Sequence, residues 1–152
     1  PGEVLELIRG ARRGVVVAGT LSSACDRASA AWLAAALRWP LLPDVQSGLR
    51  VDQCGFGYVG VPMIDHLLAE PLVASSLRPD VVLQLGERLV SKRLGDLVAL
   101  ASDRDVGSLV VVSAAPGRND PACAAAHYVA CTPACFAQGI GQRWGPGGGA
   151  AP

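Results

Sequence analysis

Five short apolar runs punctuate this chain, and the longer segments between them carry apolar residues at helical spacing. The first run, Gly14 to Gly19, is continuously apolar and bounded by glycines, as expected of a strand buried on both faces. The Leu21-Ser22-Ser23 turn then supplies an N-cap for an Ala-rich helix reaching about Arg38. In it, Ala28, Ala31, Trp32, Ala35 and Ala36 recur at three- and four-residue steps and predict a smooth face for packing on a sheet. Trp39-Pro40 ends the helix, because proline disfavours helical geometry in the residue before it.

Leu41-Leu42 starts a short second strand, and Asp44, Gln46, Ser47 and Gly48 form the loop where the chain leaves the sheet. Helical segments are expected from Met63 to Leu68, after Pro62, and from Pro71 to Leu77. Val81 to Gly86 is the next buried strand, and Ser91 opens a helix through about Ala101. Ser108 to Ala114 is another apolar strand, and His127 to Cys131 a last one before a short helix. Strands alternating with helices predict a doubly wound, Rossmann-like parallel α/β sheet of five or six strands, with helices on both faces. From Gly139 the sequence is glycine-rich without periodicity, so the domain is expected to span residues 1–138 and a flexible tail or linker residues 139–152.

The 152 residues are enough for one domain with its own core. Half are apolar, but aromatics are few, so Ala, Val and Leu must fill the interior. Thirteen basic residues balance thirteen acidic ones, which argues against a nucleic-acid or anionic membrane partner. Every apolar stretch is interrupted before membrane-spanning length, so a soluble domain is expected. The chain opens on Pro1 with no visible targeting signal, and it is expected to be excised from something longer. The five cysteines, Cys25, Cys54, Cys123, Cys131 and Cys135, form no even framework and suit a reducing compartment. Cys131, Cys135 and His127 lack the paired spacing of a zinc site.

Candidate chemistry is concentrated at one place. Pro79 to Leu94, PDVVLQLGERLVSKRL, runs a buried strand through a glycine turn to the adjacent cations Lys92 and Arg93 at a helix start. The pair suits an anion, and equally suits a solvated helix face. Gly55 to Gly60 matches G-x-G-x-x-G, but it follows GLRVDQC and precedes a proline, where a dinucleotide fingerprint follows a strand and opens a helix. His66, within IDHLLAE, reads as a partly exposed helix residue, and His127 as structural. Asp44 and Asp65 lie apart along the chain, with nothing to indicate the shared site that paired carboxylates need. No catalytic residue is assigned.

Four stretches together carry a resemblance: RRGVVVAG at Arg12 to Gly19, RWPLLPDVQSGLR at Arg38 to Arg50, the Pro79 to Leu94 segment, and GRNDP at Gly117 to Pro121. In this order they resemble the middle domain of the 2-succinyl-5-enolpyruvyl-6-hydroxy-3-cyclohexene-1-carboxylate synthases, thiamine-diphosphate enzymes of menaquinone and phylloquinone synthesis. The resemblance implies a parent enzyme that uses thiamine diphosphate and Mg2+ to decarboxylate 2-oxoglutarate and add the unit to isochorismate. It implies N- and C-terminal cofactor-binding domains in the same parent chain, and a homo-oligomeric parent. Lys92 and Arg93 correspond to a lysine-arginine pair that contacts substrate in the family, with Arg93 the stronger candidate; Arg50 is a further candidate without an assigned role.

No glutamate of a pyrimidine-binding domain and no GDG metal motif is found, since Gly95-Asp96-Leu97 does not match. The fragment alone is therefore expected to bind no cofactor and to be inactive. The LPDVQSGLR wording resembles plant and algal forms, which implies a chloroplast setting, otherwise a cytoplasmic one. Two alternatives remain: an isolated Rossmann-like nucleotide-binding module using Gly55 to Gly60, and a purely structural or oligomerisation domain.

Overall fold

The computed structural model describes residues 2–51, 57–101, 107–116 and 125–144. Helix α1 (Gly2–Gly10) leads to strand β1 (Gly14–Ala18), helix α2 (Ala24–Leu37) and the short strand β2 (Leu41–Pro43). A 3-10 turn (Val45–Ser47) and helices α3 (Ile64–Leu67) and α4 (Pro71–Ser76) precede β3 (Val81–Leu85). Helix α5 (Lys92–Ala101), strands β4 (Ser108–Val112) and β5 (His127–Val129), and helix α6 (Pro133–Trp144) complete the described chain.

The strands pair in parallel in the order β2-β1-β3-β4-β5, the doubly wound α/β sheet expected from the alternation. Alternation along each strand divides the core. Val16, Ala18, Leu83, Leu85, Val110 and Val112 face α1, α2 and α6, whereas Val15, Val17, Val82, Leu109 and Val111 face α3 and α5. Burial on both faces is why these runs lack polar alternation. Each fully buried Val or Leu stabilises the fold by about 1.5–3 kcal/mol relative to exposure. The chain winds outward from β1 to β2 and the other way from β3 to β4, so the sheet's topological switch lies between β1 and β3.

Helix α2 begins and ends as expected. Ser23 Oγ accepts the Asp26 amide at 3.0 Å and donates to its carboxylate at 2.7 Å. Asp26 also accepts the Ala134 amide at 3.2 Å, tying the starts of α2 and α6 together. The expected stripe is borne out in part, since Ala31 and Trp32 are buried. Ala30, Leu33, Ala34 and Leu37 enter the core, while Ala28, Ala35 and Ala36 are half-buried. The larger Leu33 and Leu37 set the helix rotation, because burying them removes more apolar surface than burying alanines.

Two segments depart from the sequence reading. Residues 2–10, given no element above, form α1 and bury Val4, Leu5 and Ile8. Helix α6 continues past the expected tail start at Gly139 to Trp144. Glycines in a helix cost about 1 kcal/mol each. Burial of Phe136, Ala137 and Ile140 offsets this, and the α1 residue Arg9 holds the end. Its Nη2 donates to Arg143 O at 3.0 Å and its guanidinium lies 5.9 Å from the Trp144 ring centre. No described helix is long and apolar enough to cross a membrane.

Candidate functional site

Ligands of doubly wound sheets commonly enter the crevice beyond the strand ends at the topological switch. Here the chain itself closes that crevice. The β1–β3 ladder extends beyond both strands through Gly19 N to Leu85 O and Glu87 N to Thr20 O, each 2.9 Å. A Cβ on Gly19 would lie 2.2 Å from Glu87 O, and one on Gly86, at φ +83°, only 2.4 Å from Thr20 O. Backbone packed this tightly leaves no room for a pyrophosphate. Of the Gly55 to Gly60 motif, Gly55 and Phe56 lie outside the described residues, and Gly60 forms a parallel bridge to Leu41 on edge strand β2. The motif's second half thus adds to a sheet edge and does not open a helix directly.

The sequence candidates Lys92 and Arg93 lie one turn further on, where α5 starts. Asp44, at the end of β2, is 0 % exposed. Its amide donates to Ala18 O at 2.8 Å. Its carboxylate accepts the Val45 amide, the Val90 amide at 2.5 Å and the Ser91 amide at 3.1 Å. A buried carboxylate is stable only with such donors, and in return it joins the ends of β1 and β2 to the segment that opens α5. Ser47 Oγ, donating to Asp44 O at 2.7 Å, and Gly48, at φ +73°, complete the turn.

A second carboxylate meets the same segment from α3. Asp65 accepts the Ser91 hydroxyl and the Arg50 Nη2. Ser91 Oγ in turn accepts the Leu94 amide at 3.2 Å, capping α5. Burial acts to raise the Asp65 carboxyl, but the Ser91 hydrogen bond, Arg50 and the charge of Arg93 together hold it below its ordinary value. Asp44 and Asp65 both contact Ser91, one at its amide and the other at its hydroxyl, without forming the paired-carboxylate site whose signs the sequence lacked. They act as acceptors that fix a helix start. Arg50 is engaged within the chain: Nε donates to Pro43 O at 3.1 Å and Nη2 meets Asp65.

Lys92 and Arg93 begin α5 beside an open groove of about 530 Å3, flanked by the exposed side chains of Val45 and Val90. The two cations are not equivalent. Lys92 Nζ is paired with Asp96 at 2.7 Å on the solvated surface. Arg93 is exposed and has no hydrogen-bonded partner among the described residues. Of the two cations lining the groove, Lys92 is thus matched by Asp96, while Arg93 acts on Asp65 only through its charge. A guanidinium can grip a carboxylate through two parallel hydrogen bonds.

The remaining candidates lie elsewhere. His66 is exposed on α3, and His127 is half-buried at the start of β5, across the sheet. Cys25 and Cys135 are exposed thiols; burial, reinforced by Cys135, pushes the Cys131 thiol up. Cys54, Cys123 and the Gly117 to Pro121 stretch lie outside the described residues. Asp44 and Asp65 were missed as parts of the site because their partners are distant in sequence. Asp44 followed by Val45-Gln46-Ser47-Gly48 is, however, a legible carboxylate-capped turn.

The described residues do not fit thiamine diphosphate. Among the described residues no three His, Cys, Asp or Glu side chains gather as metal ligands, and the crevice at the switch is filled by backbone.

Residues 6–142 match the family described as the middle domain of thiamine pyrophosphate. The chain is 41% identical over 125 residues to 2-succinyl-5-enolpyruvyl-6-hydroxy-3-cyclohexene-1-carboxylate synthase of Rubrobacter xylanophilus, covering 82% of this chain and 21% of that protein. It is 34% identical over 126 residues to the protein of the same name from Aeromonas salmonicida, covering 83% and 21%. Protein PHYLLO, chloroplastic, of Arabidopsis thaliana is 29% identical over 133 residues, covering 84% and 8%. The chain spans about a fifth of the length of the two bacterial synthases. With its parallel sheet and its match over nearly the whole chain, it belongs to the thiamine pyrophosphate middle-domain family and is related to the middle part of these synthases.

Proposed function

We propose that this chain is the middle-domain part of a synthase that decarboxylates 2-oxoglutarate and adds the resulting unit to isochorismate, in menaquinone or phylloquinone synthesis. The observation that carries this reading is the 41% identity to a bacterial synthase across 82% of the chain. Thiamine diphosphate with Mg2+ supplies the carbon–carbon bond-forming chemistry when bound in the complete parent. Its sites belong to the N- and C-terminal domains of that parent, which assembles as a homo-oligomer. A plastid setting is supported by the similarity to the chloroplastic Arabidopsis protein; the two more similar relatives above are bacterial and support a cytoplasmic one.

The contribution of this chain is an anion grip. Both substrates carry carboxylates, and Arg93 presents a guanidinium to the groove while Asp44 and Ser91 hold the backbone beneath it. Lys92 adds positive charge at the rim, tempered by Asp96.

The test is isochorismate-dependent decarboxylation of 2-oxoglutarate by the complete parent carrying Arg93 or Ala at that position, with thiamine diphosphate and Mg2+ present. Loss of rate with unchanged thermal stability supports the reading. Full retained activity removes Arg93 from the substrate site and favours a purely structural middle domain.

A further inference from the structure

The opposite end of the sheet carries a feature that the synthase reading does not use. The segments leading into β1, β2 and β3 line one pocket of about 420 Å3, and each contributes arginine: Arg12 and Arg13, Arg38, and Arg78. A chain with no net charge thus gathers four cations around one concavity. Among the described residues, the ion pairs lie elsewhere, at Arg9–Glu6, Arg50–Asp65 and Lys92–Asp96. Asp80, beside Arg78, uses both carboxylate oxygens on the backbone amides of Arg12, at 2.7 Å, and Arg13, at 2.9 Å. It fixes the loop that presents these side chains. Arg78 Nε donates to Ser75 O at 3.3 Å, which leaves its terminal nitrogens for another acceptor.

Two further details describe the wall of the pocket. Trp39 forms one wall, its ring so close over Gly14 that a Cβ there would lie 2.0 Å from Cε2. Arg38 has φ +56°, the one positive φ outside glycine among the described residues. It stands at the helix C-cap, where glycine is the easy choice and a larger side chain costs energy.

We infer that this pocket, at the sheet end opposite Lys92 and Arg93, binds a compact multivalent anion bearing phosphate or carboxylate groups. The volume suits a small metabolite, and the exposed arginines at its rim carry the guanidiniums best matched to the planar or tetrahedral oxygens of such groups. The inference is independent of the synthase reading.

The experiment is calorimetric titration of the 152-residue chain with inorganic pyrophosphate and, separately, citrate, in salt at about the physiological level, where diffuse surface attraction is screened. Saturable one-to-one binding of at least one is expected, pyrophosphate alone marking the phosphate class and citrate alone the carboxylate class. Arg78→Gln should weaken it by roughly tenfold or more. Arg38→Gly should do the same while melting no lower than the parent chain, because glycine relaxes the C-cap; this variant keeps the test valid if others fold poorly. Arg9→Gln, a cation removed on α1, should leave binding unchanged. Absence of saturable binding of both probes, binding that survives Arg38→Gly and Arg78→Gln, or an equal loss in Arg9→Gln overturns the site.

Discussion

The Asp44 carboxylate accepts the Ser91 amide at 3.1 Å, so the residue immediately before Lys92 and Arg93 is held by the end of β2. Nothing local in the sequence holds it there. Replacing Asp44 by Ala would leave the Val45, Val90 and Ser91 amides without this acceptor in a site closed to water. We expect Asp44→Ala to lower unfolding free energy by about 3 kcal/mol or more in urea titration, and Asp44→Asn by less, since the amide oxygen still accepts. In the complete parent, Asp44→Asn should raise KM for isochorismate more than it lowers kcat, because it loosens the helix start beneath Arg93 and removes no reacting group.

Arg93 and Lys92 should separate in kinetics. Arg93 acts on Asp65 only through its charge and has no hydrogen-bonded partner among the described residues, whereas Lys92 already pairs with Asp96 on a solvated surface. Arg93→Ala in the complete parent is expected to reduce kcat/KM for isochorismate by roughly ten- to a hundredfold, the loss of one charge-assisted contact. Arg93→Lys should recover only part of it, because an ammonium cannot make the bidentate contact. Lys92→Ala should cost a few-fold at most, and neither Ala variant should change the melting temperature appreciably. Equal effects of the two would contradict the assignment of Arg93 as the available cation.

What was legible in the sequence follows from the range of the interactions. Val81–Leu85 and Gly14–Ala18 read as strands because burial on two faces leaves continuous apolar runs. The start of α2 was legible because Ser23 and Asp26 are local partners. Its buried face was legible at Ala31 and Trp32 but not at Ala28, Ala35 and Ala36, because the alanines are nearly equal candidates for burial and Leu33 and Leu37 decide the rotation. Helix α6 outlasts Gly139 because Arg9, more than a hundred positions earlier, meets Trp144. The site follows the same rule. Lys92 and Arg93 are visible as a pair, but Asp44 lies 47 positions from Ser91 and Asp65 lies 26. Which cation stays available depends on those distant contacts and on Asp96.

Asp65 gives the fold an acid limb. Its carboxyl lies below the ordinary 3.8 although burial opposes this, because Ser91, Arg50 and Arg93 favour the charged form. The folded chain therefore binds this proton less readily than the unfolded chain. The stabilisation is fully present above the ordinary carboxyl value and is lost as pH falls through the lower folded value. Urea midpoints measured from about pH 5 down to about pH 2.5 should fall less steeply in Asp65→Asn than in the parent chain. At pH 5 the variant should itself be less stable, on the order of 1 kcal/mol for a partly exposed pair. Parallel acid limbs would remove Asp65 as their source.

Gly86 and Gly57 both have positive φ, at +83° and +69°, yet their surroundings differ. A Cβ on Gly86 would strike Thr20 O at 2.4 Å and Leu21 Cδ2 at 2.7 Å, whereas one on Gly57 meets nothing within 4 Å. Gly57→Ala should therefore cost only the left-handed backbone term, about 1–2 kcal/mol. Gly86→Ala must also push apart two loops joined by the Glu87 to Thr20 hydrogen bond. A loss of about 3 kcal/mol or more is expected, measured by urea unfolding of the isolated chain. The contrast tests the closed crevice directly. If Gly86→Ala proved as mild as Gly57→Ala, the β1 and β3 loops would have room between them, and the switch point would again be open to a ligand.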